Sequence, residues 1–191
     1  MNWTLSTPPA LEPVSLAEAK THCRIDGSDD DDYLAGLITA ARVYLEEVMR
    51  RAFLTQTWRA SLDAWPDDSE ITLPRAPLQS VISIVYKDSS GAQTTLAETD
   101  DYLVDTDSEP GRIVPAVNKN WPETALYPIN PIQITYIAGY GDAPENVPAT
   151  IRQAIRLLVG HWYENREATM SGATAREIPL AVDSLIYMDR M

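Results

Sequence analysis

The chain has 191 residues, a formal net charge of −13 and a single cysteine, Cys23. A length of this order buries roughly 70% of the unfolded surface in a core, so no disulfide staple is needed, and one cysteine forms no internal disulfide. The acidity argues against a dedicated DNA-binding surface, though an acidic wall can border a duplex without holding it; no stretch approaches the ~20 apolar residues of a membrane span, and Met1 to Leu11 has neither the basic start nor the apolar run of a signal peptide.

Met1 to Pro13 reads as an extended arm punctuated by Pro8, Pro9 and Pro13, with Trp3 and Leu5 as its apolar residues. These two either fold back on their own domain or grip a neighbouring subunit. Ser15-Leu16-Ala17-Glu18 is a capping box and predicts a short helix to about His22. Asp26-Gly27-Ser28 breaks it. The four aspartates Asp29 to Asp32 lack the alternating spacing of a calcium loop. They fit a helix N-terminus capped by Ser28 or Asp29, where negative charge meets the positive end of the dipole. Tyr33, Leu34, Leu37, Ile38, Ala41, Tyr44, Leu45 and Val48 then form a helical stripe, and the helix is expected from about Asp29 to Arg51.

From Leu54 the period falls to two. Gln56 to Leu62, Ile71 to Leu73, Val81 to Tyr86, Thr94 to Leu96, Tyr102 to Asp105, Arg112 to Val114 and Ile132 to Ala138 read as strands. Trp65-Pro66-Asp67-Asp68, Asp88-Ser89-Ser90-Gly91 and Ser108-Glu109-Pro110-Gly111 read as turns. The acidic excess concentrates here: residues 54–147 carry 14 acids and 5 bases, whereas residues 148–191 carry 5 of each.

Val147 to Ala168 predicts the closing helix, with Pro148 at its first residue and Ile151, Ala154, Ile155, Leu158 and Trp162 at helical spacing. Leu157 and Val159 widen the stripe, which suggests cover on more than one side. Arg152 and Arg156 lie one turn apart on the polar face. Beyond it, Ile178, Leu180, Val182, Leu185, Ile186, Tyr187 and Met188 make an apolar tail. Such a segment packs back or docks into a partner, and docking is the expectation carried forward.

The order helix, helix, strands, helix gives an α+β fold: an antiparallel helical core interrupted by an inserted small antiparallel β domain, with extended N- and C-terminal arms. The expected divisions are an arm at 1–14, helical core at 15–53 and 147–168, β domain at 54–146 and tail at 169–191. No catalytic constellation emerges. His22 and Cys23 are merely adjacent, two histidines and one cysteine build no Cys/His zinc site, and no nucleophile elbow, Walker loop or dinucleotide fingerprint is present. No catalytic, cofactor-binding or metal-binding residue is therefore assigned. The alternative is an enzyme or small-ligand binder using the acidic, aromatic β domain around Tyr102, Trp121 and Tyr140.

Leu16-Ala17-Glu18-Ala19-Lys20, Arg24, the acidic run and Ala40-Ala41-Arg42 resemble the opening of phage head–tail connector proteins, the adaptors of tailed phages and gene transfer agents. Leu73-Pro74-Arg75-Ala76-Pro77-Leu78 before a β-rich strand is similar to the version with a β insertion. Ile151-Arg152-Gln153-Ala154-Ile155 with His161-Trp162-Tyr163-Glu164-Asn165-Arg166 looks like the family's closing helix. The resemblance spans about residues 14 to 188. It implies a structural ring, most often a dodecamer, under the capsid portal, which receives stopper or tail-terminator proteins around a DNA channel. It implies no cofactor and no catalytic residue, a place in the virion neck, and assembly in the host cytoplasm. On this reading the C-terminal tail, from Ile178 to Met188, reaches the portal. Arg152 and Arg156 are expected to pair with acids of a neighbouring subunit, Asp29 and Asp30 being available in every copy.

Overall fold

A computed structural model describes residues 1–166 and 180–188. The chain forms two compact units. One comprises residues 1–10 and 55–140, the other residues 11–54 and 141–191.

The second unit is helical. Helix α1 spans Leu16–Cys23 and starts from the predicted capping box. The Glu18 N–H donates to Ser15 Oγ at 3.2 Å, and the Ser15 N–H donates to Glu18 Oε2 at 2.9 Å. Arg24 ends the helix in the left-handed region at φ 57°. Helix α2 spans Asp31–Met49, with Asp31 and Asp32 in its first turn, and ends at Arg50, again left-handed at φ 55°. Its buried stripe is Leu34, Ile38, Ala41, Leu45 and Met49. The expected cap at Ser28 or Asp29 is not used: Asp30 holds the cap position without a side-chain cap bond, because its carboxylate is engaged elsewhere.

Helix α3 spans Ala149–Glu164, about 24 Å long, with Pro148 one position earlier than expected, at the cap. It buries Ile151, Ala154, Ile155, Leu158 and Val159, while Leu157 and Trp162 are half-buried. Helix α1 packs on both α2 and α3, α2 packs on α3, and α4, Leu180–Met188, packs on α3. The second flank of the wide stripe on α3 is thus met within the chain. Gly160 permits the approach of α1 to α3: a Cβ there would lie 3.2 Å from the His22 imidazole.

The first unit is built from antiparallel strands. The predicted arm is a strand, β1, Asn2–Thr7, paired to β2, Gln56–Leu62. The N-terminal residues therefore belong to the β unit. The five-stranded sheet runs β1-β2-β8-β4-β5, with β4 at Leu78–Lys87, β5 at Gln93–Leu96 and β8 at Ile132–Ala138. A three-stranded sheet runs β3-β7-β6, from Ile71–Thr72, Arg112–Pro115 and Tyr102–Asp105.

Directly opposed residues in antiparallel strands share a face. Two apolar rows therefore cross the large sheet. One is Trp3, Ala60, Ile134, Ile84 and Leu96; the other is Leu5, Trp58, Tyr136 and Val81. Ala60, Ile134, Ile84 and Tyr136 are fully buried. The Tyr136 hydroxyl donates to the Pro74 carbonyl at 2.9 Å, and burial pushes its pKa well above the usual phenol range. Trp65 stacks on Trp121 at 4.7 Å, and the Trp121 indole N–H donates to the Ser69 carbonyl.

Candidate interaction surfaces

Several polar side chains of the helical unit join its own helices. Glu18, in the first turn of α1, accepts from both Arg152 and Arg156 of α3 at 3.2 Å. Its carboxyl lies below the ordinary value: the backbone N–H of Ser15 is the largest cause, opposed by burial and reinforced by the Ser15 hydroxyl and the two arginines. Within one chain these two arginines already share an acidic partner, Glu18. Their one-turn spacing on α3 is matched by an acid of the same chain, which the capping box holds in place.

Asp30 likewise has internal partners. Its carboxylate accepts from the Tyr163 hydroxyl at 2.6 Å and from Arg166 at 3.0 Å. These bonds lower its pKa, the Tyr163 hydroxyl most, and raise that of Tyr163. The Arg166 guanidinium lies 4.8 Å from the Tyr33 ring centroid and 4.9 Å from that of Tyr163, a cation held against two aromatic faces. Asp31 pairs with Lys20 at 2.6 Å, and Asp29 is exposed. The acidic run thus ties the start of α2 to α1 and α3.

A third cluster escaped the sequence reading. Arg42, its side chain 7% exposed, bonds Glu12 at 2.7 Å and Glu46 at 2.8 Å. Glu46 Oε1 accepts the Phe53 backbone N–H at 2.9 Å. Burial alone would lower the Arg42 pKa, but Glu12 and Glu46 outweigh it and the net shift is upward. The network fastens the segments before α1 and after α2 to the middle of α2. Its one sequence signal was Arg42 and Glu46 at i, i+4 beside the apolar stripe.

The residues of α4 differ in burial. Val182 and Ile186 of α4 are buried, Leu185 is half-buried, and Tyr187 is 69% exposed. Ile178, and the side chains of Leu180 and Met188, lie outside the described residues. Of the two alternatives for the tail, packing back holds for Val182 and Ile186, which are buried where α4 packs on α3.

Among the described residues no group of three or more His, Cys, Asp or Glu could hold a metal ion, and no helix is long and apolar enough to cross a membrane. The Cys23 thiol is pushed up, by burial first and then by Glu164, away from the thiolate that a nucleophile needs.

The family of phage gp6-like head–tail connector proteins matches residues 13–110 and 116–190, and the chain belongs to that family. No curated protein matches. Among solved structures, a chain in the neck of the empty gene transfer agent particle, computed with sixfold symmetry, matches with a TM-score of 0.83 and 26% identity. The match covers 100% of this chain and 95% of that one. A chain in the neck of the native particle, computed with twelvefold symmetry, matches at 0.79 and 26%, over 100% and 95%. A chain of the native gene transfer agent virion is 24% identical at 0.79, over 98% of this chain and 94% of that one, and shares the fold. The protein is a structural head–tail connector.

Proposed function

We propose that this connector forms a ring, a dodecamer by analogy with the twelvefold neck, beneath the portal of a phage-like particle. There it joins the portal to a stopper or tail-terminator protein around the DNA channel. The observation that carries the reading is similarity over the whole chain to a subunit of a particle neck, together with family membership across both units. The net charge of −13 suits such a channel, since a wall that gripped phosphates would retard DNA passage.

Within the tail, the open residue Tyr187 and the neighbouring Leu185 are the portal-facing positions, while Val182 and Ile186 hold α4 on α3. The test mixes the purified chain with its portal and weighs the complex. Stoichiometric attachment is expected, and Tyr187→Ser should weaken it while leaving the thermal midpoint of the free chain unchanged. Failure of the unmodified chain to attach would overturn the reading. A free chain that stays monomeric would not, since a ring can close on its template.

A further inference from the structure

The two apolar rows of the large sheet are buried from β2 onward, one as far as Leu96 of β5 and the other as far as Val81 of β4, and lose their cover at β1. Trp3 is 44% and Leu5 43% exposed, although each stands beside a buried neighbour, Ala60 or Trp58. Among the described residues β1 pairs only with β2, and β5 only with β4. The sheet therefore ends in two open edges. Exposed edges are normally guarded by charge or proline. Here β1 reads Asn-Trp-Thr-Leu-Ser-Thr and β5 reads Gln-Thr-Thr-Leu, with neither; the only guards are an irregularity in β1 between Leu5 and Thr7 and the four-residue length of β5.

The charge near the two edges is opposite. Residues 1–11 and 54–62, which contain β1 and β2, hold one base, Arg59, and no acid. Arg59 is exposed, stands opposite Thr4 of β1, and has no ion-pair partner among the described residues. Residues 78–101, which contain β4, β5 and the turns beside β5, hold four acids, Asp88, Glu98, Asp100 and Asp101, and one base, Lys87, opposite Gln93. Copies of so acidic a chain repel one another over most of their surface. The β1 edge has no acid on its own two strands, so an acidic edge meets less repulsion there.

We infer that the β1 edge of one copy adds to the β5 edge of the next, so that the sheets join head to tail around the ring. Strand addition pairs outward backbone groups of both edges, adds cover beside Trp3 and Leu5, and draws the exposed Arg59, one strand in from the edge, toward the acids at Glu98 and Asp100. The two surfaces differ, so the contact is heterologous, the kind that makes a ring when its rotation closes, as the proposed neck ring requires. A β1–β1 contact would give only a dimer and would set Arg59 against its own copy.

This inference rests on the ring proposed above, and the experiment separates the two. The full chain is mixed with its portal, and the mass of the complex gives the copies bound. Arg59→Glu is expected to lower the yield of complete rings by at least about tenfold, as is Glu98→Arg with Asp100→Arg. The three changes combined should restore it, because the charges are exchanged rather than removed. Complete rings from Arg59→Glu, or no rescue in the combined variant, would overturn the edge pairing and leave the connector role standing. If the unmodified chain does not bind the portal, the ring reading fails, and amide exchange of the free chain at rising concentration decides the pairing. Protection gained together in β1 and β5 supports it; exchange unchanged in both overturns it.

Discussion

Replacing Arg42 by alanine tests whether a buried charge organises the helical unit. The guanidinium lies between Glu46, whose side chain is 8% exposed, and Glu12, which is 28% exposed. Without Arg42, the Glu46 carboxylate stays buried with the Phe53 N–H among its remaining donors. Removing one partner of a buried pair costs about 3–5 kcal/mol, mainly because the other charge is stranded. For a chain of this size each kcal/mol moves the melting midpoint by about 2–4 °C, so a fall of about 6–20 °C is expected. Glu12→Ala should cost only about 1 kcal/mol, since water already reaches that carboxylate. Arg42→Met with Glu46→Leu should recover most of the loss, because no buried charge is then left unpaired. Thermal and urea unfolding followed by circular dichroism give all three values. A loss below about 1 kcal/mol for Arg42→Ala would show that the pair behaves as an exposed one and would refute the reasoning.

Arg50→Gly should stabilise the chain by about 1 kcal/mol, read from the urea midpoint, because Arg50 ends α2 at φ 55° where only glycine avoids the Cβ penalty. A double-mutant cycle of Glu18→Gln and Arg156→Met should give a coupling of about 0.5–1 kcal/mol in the free chain, shrinking with added salt; zero coupling would mean that Arg156 has another partner. The Asp105 carboxyl is held at about 2, by the Ser108 hydroxyl first and then by Arg112, below an ordinary 3.8. Its stabilising effect is therefore complete above the ordinary value and lost as the pH falls toward 2. Carboxyl carbon shifts followed by NMR should show that midpoint, and a midpoint near 4 would remove the bond to Arg112.

The elements that read cleanly from the sequence are those whose pattern has one cause. Ile132 to Ala138 alternates because one face of β8 is buried, and the observed burial alternates with it. Ser15 and Glu18 fix the start of α1 through two local bonds. The left-handed ends of α1 and α2 were not legible, since arginine occupies positions that usually announce themselves as glycine. Nor was β1. An uncharged hexapeptide before three prolines in the next seven residues reads as an arm until a partner strand more than fifty residues later gives it a register.

The candidate site was harder for a related reason. Sequence spacing put Arg152 and Arg156 on one face but gave no means of choosing among the acids that could meet them. Glu18 had already been assigned to the capping box. The structure uses the carboxylate for both, with Oε2 toward Ser15 and Oε1 toward the two arginines. The same sharing governs Asp30, which sits at the α2 cap position yet bonds Tyr163 and Arg166.

Several acids of the helical unit are engaged in this way, and two of its tail residues are already buried. The sheet presents the opposite case: two open edges of unlike charge and an apolar row that stops short of cover. Attraction between copies of a chain this acidic must come from a surface where backbone hydrogen bonds and apolar area outweigh repulsion. The β1 edge is such a surface, and its uncharged sequence, which hid the strand, is what lets a second copy approach it.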